Sequence, residues 1–62
     1  MSTHNAINWA LNAARTMKEL AEDEDYVKQD KHRKPKRPFT QQRTQAADEL
    51  KLAYFFLTGE SI

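Results

Sequence analysis

The sequence predicts an all-α fold, a two-helix antiparallel hairpin with a long basic loop. Two stretches carry apolar residues at alternating spacings of three and four, which is the period of an amphipathic helix. The segment between them is charged and contains both prolines, which a continuous helix would not tolerate. A chain of 62 residues without cysteine forms at most one domain, here residues 1–62.

The first helix is predicted over residues 6–22. At its start, Ser2, Thr3 or Asn5 offers the side-chain oxygen of an N-cap. Acidic residues crowd its far end, where the helix dipole is itself negative, so we expect the helix to fray after Ala21. Its apolar stripe consists of Ala6, Ala10, Ala13, Met17 and Leu20, flanked by Ile7, Leu11, Ala14 and Ala21.

A charged loop is predicted over residues 23–39. Pro35 and Pro38 each remove a backbone donor and favour extended backbone at the residue before them. Such a loop is longer than the usual connection between paired helices, and loops of this length are commonly functional or disordered. We therefore expect functional residues in this loop.

A second helix is predicted over residues 41–57, after Thr40 at the N-cap position. Gly59 fits the position where a left-handed residue closes the last turn, and Ile62 is placed to fold back against that turn. The run 52–57 is apolar on every side, so it needs more than one neighbour to cover it; a short strand is the alternative for this run. The apolar stripe consists of Ala46, Leu50, Ala53 and Leu57, with Ala47 and Tyr54 alongside.

A lone helical hairpin is a single layer without a true interior. Two copies that pair into a four-helix bundle would provide an interior, so we expect a homodimer. The small side chains of the first helix would alternate in that core with the bulky side chains of the second. The small residues are Ala6, Ala10, Ala13 and Ala14, and the bulky residues are Leu50, Tyr54, Phe55 and Leu57.

The segments ALNAAR, at residues 10–15, and ADEL, at residues 47–50, are followed by Gly59 at the spacing of a known family. In these positions the chain resembles the Rop family of plasmid copy-number proteins, which are dimeric helical hairpins that bind a pair of kissing RNA loops. Asn12 matches an asparagine of that family's RNA-binding face, whereas Thr16 stands where the family has an aromatic residue. The resemblance implies a hairpin dimer and an RNA ligand.

Catalysis is not expected from this sequence. With no cysteine, and with His4 and His32 in separate polar segments, a nucleophile and its base would lack rigid support. Those two histidines match no zinc spacing, and Gly59 as the only glycine excludes a phosphate-binding loop between strand and helix. Residues 22–25 lack the spaced oxygen ligands and central glycine of a calcium loop. We expect a non-enzymatic protein with no metal, no cofactor and no small-molecule substrate.

Six cations within ten residues are the most specific functional feature of the sequence. Only Asp30 opposes them in that stretch, and such a density of charge neutralises phosphates and releases their counterions. We therefore expect nucleic acid, RNA or DNA, as the partner, with Arg15 and Arg43 as further candidates for contact. The alternative is that these cations only balance the acidic residues 19–25. The six residues, named the basic cluster, are Lys28, Lys31, Arg33, Lys34, Lys36 and Arg37.

Aromatic residues form a second candidate site, a protein interface. A single hairpin cannot cover every side of an aromatic helix end, and exposed aromatic residues are frequent anchors of protein interfaces. The second hypothesis is therefore a protein-binding modulator, of the kind that bacteriophages encode, which docks on a larger nucleic-acid-handling host protein. Burial in the core is the alternative for these side chains. The residues are Trp9, Tyr54, Phe55 and Phe56.

We expect a cytoplasmic protein without a membrane partner. No run of about 18 apolar residues is present that could cross a bilayer. The first five residues also lack the basic and then apolar layout of a secretory signal.

Overall fold

The structure, a computed structural model, describes residues 2–60 and consists of two antiparallel α-helices. Helix α1 spans Thr3–Lys28 and helix α2 spans Phe39–Thr58, and residues 29–38 connect them. Together they form a hairpin about 46 Å long, 18 Å wide and 12 Å thick. The predicted all-α helical hairpin is confirmed.

The start of α1 is fixed by Ser2. Its side chain accepts a hydrogen bond from the Asn5 backbone N–H at 3.4 Å, so the predicted cap is Ser2 rather than its neighbours. The Ser2 backbone N–H donates in turn to the Phe56 carbonyl at 2.8 Å. The N-terminus of α1 is therefore fastened to the last turns of α2, at what we call the open end of the hairpin.

The far end of α1 is longer than predicted. The helix continues through the acidic residues to Lys28, so the predicted end near Glu22 was wrong. Tertiary contacts explain the difference, because Asp23 is buried against α2 and accepts a hydrogen bond from Gln42. Tertiary contacts of this kind stabilise a helix more than acidic residues near the negative end of its dipole destabilise it. Lys28 in the last turn also complements the negative end of the dipole.

The ends of α2 are set by one proline and one glycine. Pro38, not Thr40, holds the N-cap position, and its carbonyl accepts from the Gln42 N–H at 3.1 Å; the predicted cap was therefore two residues too late. Proline suits this place because the first turn needs no donor from it. Gly59 adopts the left-handed conformation, with φ of 77°, and its N–H donates to the Phe55 carbonyl at 2.7 Å. The predicted glycine stop is confirmed, whereas the contact from Ile62 lies outside the described residues.

The helices meet along a narrow seam in which positions three and four residues apart alternate on each helix. Two seam positions in every seven is the spacing of a coiled-coil interface. Alanine at several of these positions leaves short side chains between the helices, and the distance between helix axes depends on such side chains. The seam consists of buried Ala6, Ala13, Thr16, Leu20, Asp23, Gln42, Ala46 and Ala53 and of half-buried Trp9, Val27, Phe39, Glu49 and Phe56.

Two polar pairs cross the seam. The Thr16 hydroxyl donates to the Glu49 carboxylate, and the Gln42 side-chain amide donates to the Asp23 carboxylate at 2.8 Å. A buried polar group is costly unless it is hydrogen-bonded. Sliding one helix along the other would break both pairs, so they fix the register of the hairpin.

Most large apolar side chains lie outside the seam. Of the predicted stripes, Ala13, Leu20 and Ala53 are buried in the seam, whereas Met17 and Leu50 are 56% and 57% exposed. One helix can cover only a narrow strip of its neighbour, and the predicted stripes are wider than that strip. Part of the exposed remainder lines two adjoining grooves that share Leu50. These residues are named the apolar face, which consists of Ile7, Ala10, Met17, Leu50, Tyr54 and Leu57.

Leu20 is the largest aliphatic side chain buried in the seam, so we expect Leu20→Ala to destabilise the hairpin strongly. Removing a buried leucine side chain costs about 2–5 kcal/mol, and a domain of this size has little stability to lose. Leu11→Ala is the matched control, because Leu11 lies on the same helix and is 55% exposed. Thermal unfolding followed by circular dichroism measures both variants. Equal losses at the two positions would contradict the position of the seam.

Candidate nucleic-acid interface

The basic cluster lies at the turn end of the hairpin. Lys28 was predicted to lie in the loop, which was wrong: it is the last residue of α1. The other five members lie in the connection, residues 29–38. All members except the half-buried Arg33 are exposed. The structure thus brings all six predicted cations to one end of an elongated molecule.

A turn begins the connection and directs the chain away from α1. The Asp30 N–H donates to the Val27 carbonyl at 3.4 Å, and the Arg33 N–H donates to the Asp30 carbonyl at 3.0 Å. The Asp30 side chain accepts from the His32 N–H at 2.9 Å, which is the local bond for which aspartate is favoured in turns. The one acidic residue inside the basic cluster therefore has a structural role.

The second half of the connection is held by the buried Asp23–Gln42 pair. The Asp23 carboxylate accepts from the Lys36 backbone N–H at 3.0 Å as well as from the Gln42 amide. The same Gln42 nitrogen donates to the Arg37 carbonyl at 2.8 Å. Asp23 and Gln42 are 5% and 3% exposed, so the bond between their side chains is shielded from water. One polar pair of the seam therefore fixes the backbone that carries Lys36 and Arg37.

The two arginines of the basic cluster are anchored by uncharged groups. The Arg33 guanidinium lies 4.5 Å from the centre of the Tyr26 ring and donates to the Gln29 side chain at 2.7 Å. Arg37 donates to the Gln45 side chain at 2.6 Å. Because these partners are neutral, both arginines are held in place without having their charge paired.

Ion pairs within residues 2–60 lie outside the basic cluster. They join Lys18 to Glu22 at 3.9 Å and Arg43 to Glu24 at 3.7 Å. Arg43 is thus already engaged, and Arg15 lies exposed in the middle of α1, away from the cluster. The acidic residues 19–25 lie near the basic cluster without forming an ion pair with it among the described residues. Lys34 and Lys36 line a cleft of about 460 Å³ together with Glu19, Glu22, Asp23 and Tyr26.

The four aromatic candidates are distributed over three surfaces. Tyr54 lies on the apolar face and donates to the Glu60 carboxylate at 3.1 Å. Phe55 is 43% exposed, and its ring meets the half-buried Phe56 ring edge to face at 5.4 Å. Trp9 occupies a seam position and lines a shallow groove with Leu52, among polar residues of α2. The apolar run of α2 therefore supplies the seam and both of its flanks.

Neither a metal cluster nor a membrane span is found in the described part of the chain. Residues 2–60 bring together no three histidine, cysteine or carboxylate side chains that could hold a metal ion. In the same residues, neither helix is apolar enough over a sufficient length to cross a bilayer. His4 pairs with the Asn8 side chain at 3.3 Å, one turn along α1.

No protein-family model, curated protein or solved structure matches this chain. The resemblance to the Rop family therefore stays a prediction drawn from its two helical segments and Gly59.

Sequence reasoning missed the residues that hold the site together. Asp23 and Tyr26 were predicted to lie in the loop, and Gln42 in the second helix, without a role in the site, yet all three anchor the connection. A seven-residue repeat marks two of them, since Asp23 follows Thr16, and Gln42 precedes Glu49, by seven positions. No local sequence pattern identifies Tyr26 as the residue on which the Arg33 guanidinium packs.

We expect Asp23→Ala to loosen the basic cluster. The change leaves the Lys36 N–H without its acceptor and Gln42 with one bond fewer, at a cost of about 1–3 kcal/mol. Amide hydrogen exchange measured by NMR should speed up at Lys36 by more than at the centre of α1. Asp25→Ala is the matched control, because Asp25 is exposed on the same helix. Unchanged exchange at Lys36 in Asp23→Ala would show that this carboxylate does not hold the loop.

Proposed function

We propose that the protein is a small, non-enzymatic regulator that binds nucleic acid, RNA or DNA, through the basic cluster. One observation carries the proposal: within residues 2–60, no side chain of the cluster takes part in an ion pair. Five of the six cations are also exposed at one end of the hairpin. Cations without carboxylate partners are available to phosphates, and each phosphate contact releases counterions.

Anchoring of the loop supports binding as much as charge does. The backbone at Lys36 and Arg37 is fixed by the Asp23–Gln42 pair, and Arg33 is held on Tyr26. A loop that is ordered before binding loses less entropy when its partner arrives. The lysines then act as point charges, and the arginines offer planar donors to phosphate oxygens.

Phosphate contacts of this kind set affinity and position without reading base sequence. The proposal therefore names the backbone of RNA or DNA as the ligand, and the resemblance to the Rop family favours RNA. It further assigns the protein to the cytoplasm and to a homodimeric state.

A protein-binding modulator is the second candidate function. Phe55 and Leu52 are 43% and 38% exposed on one side of α2, beside the groove that Trp9 lines. Exposed aromatic and aliphatic side chains of this kind anchor protein interfaces. In this alternative the protein, of a type that bacteriophages encode, docks there on a larger nucleic-acid-handling host protein.

Salt dependence tests the proposed nucleic-acid binding. If all six cations engage phosphates of duplex DNA, the logarithm of the association constant should fall with the logarithm of salt concentration at a slope of up to about −5. Lys31→Gln and Lys34→Gln should each make the slope shallower by about 1 and weaken binding on every sequence tested. Fluorescence anisotropy with labelled duplex DNA and with a labelled RNA hairpin measures both quantities.

Lys51→Gln is the matched control for that titration. Lys51 is an exposed lysine of α2, outside the cluster, so its loss should leave the slope nearly unchanged. A flat salt response, or equal effects of Lys51→Gln and Lys34→Gln, would contradict the proposal. If the loop variants bind a host protein normally in nuclease-treated lysate while Phe55→Ala does not, the second candidate function is favoured.

A further inference from the structure

The cleft beside the basic cluster has no role in the phosphate contacts proposed above. It has a volume of about 460 Å³ and lies between the last turns of α1 and the connection. Sites that hold small ligands have volumes of about 300–1,000 Å³, so the cleft has room for one nucleotide. Its lining consists of Glu19, Glu22, Asp23, Tyr26, Lys34 and Lys36.

Tertiary contacts hold the two walls of the cleft together. The lining residues of α1, from Glu19 to Tyr26, follow one another at spacings of three, one and three, which places them on one side of the helix. The Lys36 backbone N–H donates to the Asp23 carboxylate at 3.0 Å. The connection therefore folds back over that side of α1, and the buried Asp23 lies at the base of the cleft.

The two walls carry opposite charges that do not meet. Exposed lysines of the connection line one wall and exposed glutamates of α1 the other, yet among residues 2–60 no ion pair joins the walls. Glu22 pairs instead with Lys18 at 3.9 Å, and Glu19 forms no ion pair within the same residues. An ionised carboxylate only accepts hydrogen bonds. A ligand between these walls therefore needs an anionic group at one end and hydrogen-bond donors at the other.

Tyr26 adds a stacking surface to the cleft. It lines the cleft and is 49% exposed, although the Arg33 guanidinium packs on its ring at 4.5 Å from the centre. Unpaired bases stack on aromatic rings and on the planes of arginine side chains. The ligand is therefore expected to contain a flat ring as well.

A guanine nucleotide has all three properties. Its phosphate suits the lysines, its base suits the tyrosine ring, and its N1–H and N2 amino group lie side by side as two donors for the two oxygens of one carboxylate. Adenine and cytosine place an acceptor beside their amino group, and uracil has a single N–H between two carbonyls. A carboxylate can therefore take only one bond from the pairing edge of each of these three bases.

We propose that the cleft binds one unpaired guanine nucleotide of the RNA or DNA strand that the basic cluster holds. Glu19 accepts from the guanine edge, since Glu22 is already engaged by Lys18. Tyr26 stacks on the base. The guanine is unpaired because pairing in a duplex occupies the same donors. The inference rests on the proposed nucleic-acid binding and adds a base preference to it.

Short oligouridylates test the base preference. An oligomer with one central guanosine should bind on the order of tenfold more tightly than the all-uridine oligomer, because a bidentate pair is added to the same phosphate contacts. Oligomers with one adenosine or one cytidine in that place should bind less tightly than the guanosine oligomer. Fluorescence anisotropy measures all four affinities. Equal affinities would overturn the proposal.

Glu19→Gln should abolish the preference for guanosine, because an amide offers one acceptor and one donor where guanine needs two acceptors. Binding of the all-uridine oligomer should not weaken, since the change removes a negative charge. Asp25→Asn is the matched control: it removes an exposed carboxylate of α1 outside the cleft and should keep the preference. Circular dichroism checks that both variants are helical. An unchanged preference in Glu19→Gln, or an equal loss in both variants, would overturn the role of Glu19.

Guanosine monophosphate tests the cleft without a strand. In ¹H–¹⁵N NMR spectra it should shift the backbone amides of Tyr26 and Lys36, and uridine monophosphate at the same concentration should shift them less. Equal responses to the two nucleotides would overturn the proposal. Oligomers that bind with a steep salt dependence but without a guanosine preference would overturn it too, and would leave the proposed function intact. Absence of binding by every oligomer would overturn the proposed function, while the monophosphates still decide whether the cleft takes guanine.

Discussion

The narrow seam between the helices is the constraint on which the rest of the structure depends. Alanine at Ala13, Ala46 and Ala53 leaves room for close helix packing but buries little apolar area. Hydrogen bonds must therefore define the register, which the pairs Thr16–Glu49 and Asp23–Gln42 do. Since the seam takes few large side chains, most of them lie on the outer faces, and those faces are what remains for a partner.

The same seam connects the fold to the candidate site. Asp23 and Gln42, the polar pair nearest the turn, also reach beyond the seam. The Asp23 carboxylate accepts from the Lys36 backbone N–H, and the Gln42 amide donates to the Arg37 carbonyl. Contacts between the helices therefore hold part of the segment that carries the basic cluster. Exposed lysines present the charge. The buried Asp23–Gln42 pair holds the backbone, and uncharged side chains hold the arginines. A change in the seam near the turn should therefore alter both stability and binding.

Local sequence patterns were sufficient to predict the two helices, the Gly59 stop and the collection of the six cations at one end. They failed where tertiary contacts outweigh local preference. The acidic residues after Ala21 argue for an end to the helix, yet Asp23 is held inside by its bonds to α2. The apolar stripe was read as one surface, and only its division into seam and face shows that Leu50 is exposed. Which residue a seam side chain meets depends on the register of the two helices. Contacts between residues distant in sequence set that register.

The most direct test of the account is to map which backbone amides respond when nucleic acid is added. In ¹H–¹⁵N NMR spectra recorded during titration with an unlabelled RNA hairpin, the account predicts shifts concentrated in residues 28–37, with Lys36 among them, and little change near Phe55. The shifts should recede as salt is raised, because counterion release drives the binding. Shifts confined to residues 52–57 would contradict the account. So would the absence of shifts at RNA concentrations at which Lys31→Gln and the parent chain give the same spectra.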